Sequence, residues 1–147
     1  MIVDSRGLSE LARKVVMVDG SFDPLHDGHI AYFAEAAALG MPVLCNIAPD
    51  SWTQSKHRIL LPQAVRAVVI DAIRYVSYVH ASELTTNEVL QLLKPRMYVK
   101  GNDWLARGGI PATEQSTCTA NGIEVVYVDT VRNSSSKILQ DWTATDD

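Results

Sequence analysis

The run Val15-Val-Met-Val18 passes without a break into Asp19-Gly-Ser-Phe-Asp-Pro-Leu-His26-Asp-Gly-His29. No other stretch limits the possible folds as much. An unbroken apolar tetrapeptide is what a strand buried on both faces requires. Gly20, Asp23-Pro24 and Asp27-Gly28 then mark a tight connection. Ile30, Phe33, Ala34, Ala37 and Ala38 follow at helical spacing, with Gly40 just beyond as a C-terminal stop and Asp27 placed to cap the start. The stretch is therefore predicted to be strand, turn and helix.

A helix that leaves a buried strand in this way points its unpaired N–H groups and the positive end of its dipole into the crevice at the carboxyl edge of the sheet. His26 in the turn and His29 in the first helical turn aim at the same place. Both can serve a phosphate there as hydrogen-bond donors, cations or proton shuttles. No third ligand of matching character lies nearby in sequence, so the pair reads as an anion site and no metal site is assigned.

The rest of the chain supplies more strands and helices in alternation. Met41–Ile47 reads as a second strand, and its right-handed crossover makes it parallel to the first. Residues 48–61 are polar, contain Pro49 and the basic group Lys56-His57-Arg58, and read as a loop able to fold over a ligand. Pro62 opens a helix with Val65, Val68, Val69, Ala72 and Ile73 on one face and Arg66 beside that stripe. Tyr75–Val79 is a third strand. Thr85 and Glu88 fit a capping box before a short helix that ends at Pro95. Met97–Gly101 is a strand turning at the same sheet edge, where Asp103 can accept hydrogen bonds from ribose hydroxyls; the structural alternative for Asp103-Trp104 is a turn with an aromatic lid over the core. A helix over 112–120, stopped by Asn121-Gly122, leads to a last strand, Ile123–Val128. Arg132 and Asn133 then lead to Ser134-Ser135-Ser136, which mark a helix N-terminus: one serine caps it, and the others leave hydroxyls facing the crevice.

This order gives an α/β fold: a single-domain, Rossmann-like, doubly wound and mainly parallel sheet with helices on both faces. The domain is placed at residues 14–142, after a lead of residues 1–13 with a short helix at Leu8–Arg13, and before an acidic, disordered tail at 143–147. At 147 residues there is room for one ordinary core. A hydrophobic share of 47% with 20% charged residues is globular. A net charge of −4 argues against a nucleic-acid partner. The sequence has no span-length apolar run and no signal-peptide layout, so a cytoplasmic protein without a membrane partner is expected. Cys45 and Cys118 have no metal-ligand spacing and read as reduced and structural. Neither Gly-x-x-x-x-Gly-Lys-Ser/Thr nor Gly-x-Gly-x-x-Gly occurs, which argues against kinase, GTPase and dehydrogenase chemistry.

The run Gly20-Ser-Phe-Asp-Pro-Leu-His-Asp-Gly-His29 resembles the HxGH signature of the cytidylyltransferase-like nucleotidyltransferases, and the resemblance extends over about residues 14–142. Val99-Lys-Gly-Asn-Asp103 and the later Asn121-Gly-Ile-Glu-Val-Val-Tyr-Val128 look closest to the heptose 1-phosphate adenylyltransferase domain of ADP-heptose synthase. The segment with Trp104 is also similar to glycerol-3-phosphate cytidylyltransferases. The resemblance implies transfer of a nucleoside monophosphate, AMP favoured, from ATP or CTP to a small phosphorylated sugar or polyol, with Mg²⁺ accompanying the triphosphate and pyrophosphate released. It implies catalytic roles for His26, His29 and Lys56. It places Gly20, Ser21, Phe22, Arg66, Gly101, Asp103, Ser134, Ser135 and Ser136 on the nucleotide. The triple serine departs from the relatives' Ser-Thr-Thr by lacking the threonine methyls. Relatives are often fused to a sugar kinase, and a free-standing transferase, with dimers common in the family, is the expectation here. A CTP-dependent enzyme acting on glycerol 3-phosphate is the alternative within the family, and a non-catalytic nucleotide-binding regulatory domain is the alternative outside it.

Overall fold

The computed structural model describes residues 1–129 and 134–144. Among these residues six strands form one parallel sheet in the order β1-β4-β3-β2-β5-β6, and each register pairs strands running the same way. The strands are β1 (Ile2–Val3), β2 (Val16–Gly20), β3 (Val43–Ile47), β4 (Tyr78–Ala81), β5 (Met97–Gly101) and β6 (Glu124–Val128). From β2 the chain winds outward through β3 to β4, then returns to the other side of β2 for β5 and β6. The reversal lies between β2 and β5, where open α/β sheets bind ligands.

Alternate residues from Val15 through β2 feed two cores. Val16 and Val18 pack with Phe33 and Ala36 of α1 (Asp27–Ala37) and with Ala67 and Ile70 of α3 (Gln63–Asp71). Val15 and Met17 pack on the other face with Val89, Leu90 and Leu93 of α4 (Thr86–Leu93) and Cys118 of α6 (Ala112–Ala120). Period-2 alternation across a sheet covered on both faces makes the whole strand apolar, as the sequence required.

Several expectations change. Residues 1–13 are not a lead outside the sheet. Ile2–Val3 pairs with β4 at the edge, and the 3₁₀ turn Ser5–Leu11 buries Leu8 completely. The segment 48–61 contains a short helix, α2 (Asp50–Gln54). The third strand starts three residues later than expected, at Tyr78. α1 is capped by His26, not by Asp27, and buries Tyr32, Phe33 and Ala36. The face of α3 is rotated: Arg66, Ala67 and Ile70 are inside, while Val65, Val68 and Val69 are 44%, 63% and 43% exposed. The reason is Arg66, whose hydrogen bonds to three loops turn that side of the helix inward. A fifth helix, α5 (Asn102–Ala106), starts directly at Gly101, and α7 (Ser135–Ala144) follows the serine run. α7 continues to Ala144, into the stretch expected to be a tail; residues 145–147 of that tail, like Arg132 and Asn133, lie outside the described residues.

Candidate active site

The sheet splits at its reversal point. β2 and β5 pair at Val16 with Met97 and at Met17 with Tyr98, after which the ladder stops. Beyond that point the Tyr32 hydroxyl bridges the gap, accepting from the Asp19 N–H at 3.3 Å and donating to the Val99 carbonyl. Between the parted ends lies a cavity of about 160 Å³ lined by Gly20, Phe22, His29, Gly101, Asp103 and Trp104, among others. A larger cavity of about 700 Å³ adjoins it beyond Asp19 and Lys100 and takes in Ser21 and Lys56.

The two histidines are built into the mouth of α1. His26 Nδ1 accepts from the Gly28 N–H at 3.0 Å, and His29 Nδ1 accepts from the His26 N–H at 3.3 Å, a reciprocal capping box made by two imidazoles. Their rings stack with centroids 3.7 Å apart. The edge of Phe22 meets His29 at 4.9 Å, with Phe22 held in the left-handed backbone region at φ 54°. Burial pushes His29 down to about 3, helped by the neighbouring His26, and burial also lowers His26. Both rings are thus neutral at physiological pH. Because each Nδ1 accepts, each Nε2 carries the hydrogen, and neither Nε2 has a partner among the described residues.

Lysines supply the positive charge. Lys100 Nζ donates to Asp19 Oδ1 at 2.7 Å, with both side chains about 10% exposed, and lies 4.6 Å from the centre of the Trp104 ring. The other Asp19 oxygen accepts from Tyr98 at 2.9 Å and Thr86 at 3.1 Å. Lys56 sits over Trp52 and has no acidic partner among the described residues. Burial lowers its pKa first, and the charges of Lys100 and Arg107 lower it further. Lys100 and Arg107 are each paired with a carboxylate, Asp19 and Asp103, so Lys56 is the lining cation whose charge favours an anion in the larger cavity.

The nominated residues divide accordingly. Gly20, Phe22, His29, Gly101 and Asp103 meet around the smaller cavity, and Gly20, Ser21 and Lys56 around the larger. A Cβ on Gly20 would come within 3.1 Å of the Phe22 ring, so this close approach needs glycine. Asp103 is paired with Arg107 at 3.2 Å. Arg66 is not brought to the cavities. It is 1% exposed, and its guanidinium donates to the carbonyls of Leu61, Ser21 and Ala48 and to Asp50. Asp23, read from the sequence only as part of the tight connection, holds the same segment by accepting from the Leu60 and Leu61 N–H groups at 2.8 and 3.0 Å. Of the serines, Ser134 caps α7 by accepting from Lys137 N–H at 3.0 Å, Ser135 donates to the Pro24 carbonyl at 2.7 Å, and Ser136 is exposed. Asp19 and Lys100 are the functional candidates the sequence reading missed. Each ends a strand next to a nominated glycine, and that position was the available signal. No cluster of three potential metal ligands occurs among the described residues, and no helix there is long and apolar enough to cross a membrane.

The chain is similar to known proteins in sequence and in fold. The bifunctional protein HldE of Azorhizobium caulinodans is 32% identical over 130 residues, covering 86% of this chain and 26% of that protein. HldE of Aliarcobacter butzleri is 34% identical over 101 residues, covering 66% of this chain and 21% of that protein. The chain therefore spans about a fifth to a quarter of the length of these relatives. An FAD synthase of Methanosarcina mazei is 35% identical over 89 residues, 60% of this chain and 59% of that protein. Among solved structures, a lipopolysaccharide core biosynthesis protein from Thermoplasma volcanium superposes with a TM-score of 0.64 at 26% identity, covering 82% of this chain and 98% of that one. A pantoate-β-alanine ligase from Francisella tularensis shares the fold, with a TM-score of 0.65 at 15% identity over 95% of this chain and 72% of that one. The profile described as Cytidylyltransferase-like matches residues 17–141, taking in the histidine turn, both cavities and the start of α7, and the chain belongs to that nucleotidyltransferase family.

Proposed function

We propose that the protein transfers a nucleoside monophosphate, AMP by preference, from a triphosphate to a sugar or polyol phosphate and releases pyrophosphate. The observation that carries this reading is the pair of neutral, stacked imidazoles at the mouth of α1, whose Nδ1 atoms are spent on the turn and of which His29 lines the cavity where the sheet reverses. Similarity to HldE and to an FAD synthase favours the adenylyl donor.

A phosphate monoester dianion is already nucleophilic. An oxygen of the acceptor attacks the α-phosphorus, the bond from that phosphorus to the bridging oxygen breaks, and its electron pair leaves with pyrophosphate. No protein nucleophile is required, so catalysis consists of alignment and of stabilising the charge that builds on the transferring and leaving groups. His26 and His29 donate hydrogen bonds to those oxygens without changing protonation state. Lys100, which lines both cavities, and Lys56, which lines the larger, neutralise charge there. The nucleoside occupies the side with Gly101 and Asp103, and the Asp103 carboxylate, one oxygen of which holds Arg107, accepts from ribose hydroxyls. The start of α7 meets the polyphosphate through its N–H groups and Ser136. Arg66 acts through the loops it ties together. Mg²⁺ enters with the triphosphate as part of the substrate. The Asp19 carboxylate is saturated by Lys100, Tyr98 and Thr86, so it fits a structural role better than that of a metal ligand.

The test is pyrophosphate release with Mg²⁺ and either ATP or CTP, against a panel of sugar 1-phosphates and polyol phosphates. Turnover with ATP and a sugar 1-phosphate is expected. Turnover confined to CTP and glycerol 3-phosphate contradicts the donor and acceptor assigned here, and tight nucleotide binding without turnover on any acceptor contradicts the transferase reading itself.

A further inference from the structure

The polar side chains around the larger cavity mostly satisfy one another. Asp19 is held by Lys100, Tyr98 and Thr86, and Tyr98 also meets Glu114 at 3.0 Å. Two amides remain open.

Asn46 lies next to His80 across the parallel β3–β4 register, and both are buried, at 5% and 0% exposure. Its Oδ1 accepts from His80 Nδ1 at 2.8 Å, so His80 carries its hydrogen on Nδ1. The opposite nitrogen, Nε2, accepts from the Ser5 hydroxyl at 2.8 Å. This chain of bonds fixes the Asn46 amide with its oxygen toward His80. The Asn46 nitrogen is left without a protein partner among the described residues, on a side chain that lines the cavity. Asn87, in the first turn of α4, lines the same cavity, and its Oδ1 is buried with no hydrogen-bond partner. A buried amide oxygen without a partner is costly unless a ligand or water supplies a donor.

We propose that Asn46 and Asn87 form a hydroxyl-reading wall of the acceptor site, selecting a polyhydroxylated phosphate such as an aldose 1-phosphate, with His80 as the positioning residue that orients Asn46. The proposal rests on the transferase reading: with the nucleoside on the side of Gly101 and Asp103, the larger cavity falls to the acceptor. A hydroxyl suits the wall because it donates and accepts at once, meeting an open N–H donor and an open carbonyl acceptor. Inorganic phosphate offers no such group away from the cationic end, and a small alcohol phosphate offers few. Trp52, Leu84 and Trp104 supply apolar surface for the carbon faces of a sugar ring.

The experiment measures binding of a set of aldose 1-phosphates, glycerol 3-phosphate and inorganic phosphate to the full chain in the presence of a non-hydrolysable ATP analogue, together with pyrophosphate release under turnover. Wild type is expected to bind at least one aldose 1-phosphate about tenfold or more tightly than inorganic phosphate, the scale of one or two well-made hydrogen bonds. Asn46→Leu and Asn87→Leu are each expected to remove most of that advantage and to raise KM for the sugar phosphate more than they lower kcat, leaving KM for the triphosphate in place. His80→Phe should behave like Asn46→Leu, and His80→Asn, which keeps a donor near the Nδ1 position, should restore selectivity. Asn87 sits outside the core, so its variant reads the proposal even where a buried Asn46 or His80 variant fails to fold. The proposal is overturned if the two Leu variants keep the advantage, or if wild type binds no aldose 1-phosphate better than inorganic phosphate. Selective binding with no pyrophosphate release would uphold this wall and remove the transferase reading. Turnover that is indifferent to Asn46 and Asn87 would do the reverse.

Discussion

His26 and His29 stack at 3.7 Å and spend their Nδ1 atoms on the backbone of the turn that presents them. The cap of α1 and the proposed phosphate site are therefore the same pair of rings. Replacing His29 by Ala removes one Nε2–H from the developing charge and one half of the capping box. Turnover should fall about 10²–10³-fold while nucleotide affinity changes by less than about tenfold, because the donor acts chiefly on the transition state. Steady-state kinetics alongside calorimetric titration of the nucleotide checks the split. Equal losses in both would assign His29 to binding alone.

The same burial makes stability depend on acid in a defined way. His29 sits at about 3 in the fold against an ordinary value of 6.5, so the unfolded chain takes up a proton that the folded chain refuses. The stabilising contribution of this neutral ring is complete above about pH 6.5 and is lost progressively as pH falls toward 3, on the order of 1.4 kcal/mol per pH unit while the difference of one proton lasts. His26 and His80, also lowered by burial, add to the loss in the same direction. Urea midpoints from pH 7.5 to 4.5 should fall more steeply for wild type than for His29→Asn, and parallel curves would remove His29 as the cause.

The Lys100–Asp19 pair is a buried unit. Lys100→Met leaves the Asp19 carboxylate with only hydroxyl donors and should destabilise by about 3 kcal/mol. The double variant Asp19→Asn with Lys100→Met should lose less than the sum of the single losses, since neither charge is then orphaned. Chemical denaturation of the four proteins completes the cycle, and additive losses would show that the pair is not coupled.

The histidine turn and the alternation of strands and helices were legible because each depends on local chemistry: an unbroken apolar strand, glycine and proline punctuation, and capping residues. The capping box at Thr85 and Glu88 and the stop at Asn121-Gly122 formed where their residue types demand. The errors were tertiary. Helical periodicity made Val65, Val68 and Val69 the inner face of α3. Nothing local shows that Arg66 would find three loop carbonyls and a carboxylate and turn its own side inward. Ile2–Val3 is too short to read as a strand and is fixed only by its pairing with β4. Of the site, the residues of the turn were legible. The Asp19–Lys100 bridge was not, since it joins positions 81 residues apart.

Arg66 supplies a test of that tertiary account. As a brace it needs its planar fork, so Arg66→Lys, which keeps the charge, should cost on the order of 2–4 kcal/mol and loosen residues 58–62. Thermal melts and hydrogen exchange at the Leu60 and Leu61 amides, which bond to Asp23, read both effects. Unchanged stability with a large rise in KM for the nucleotide would return Arg66 to the phosphates.

The most direct measurement follows oxygen. An aldose 1-phosphate carrying ¹⁸O in its phosphate is incubated with ATP, Mg²⁺ and the protein, and the products are read by ³¹P NMR. Direct attack predicts a nucleoside diphosphate sugar with ¹⁸O in the bridge between the two phosphorus atoms and pyrophosphate free of label. Label in the pyrophosphate, or a product whose bridging oxygen came from ATP, would contradict the account.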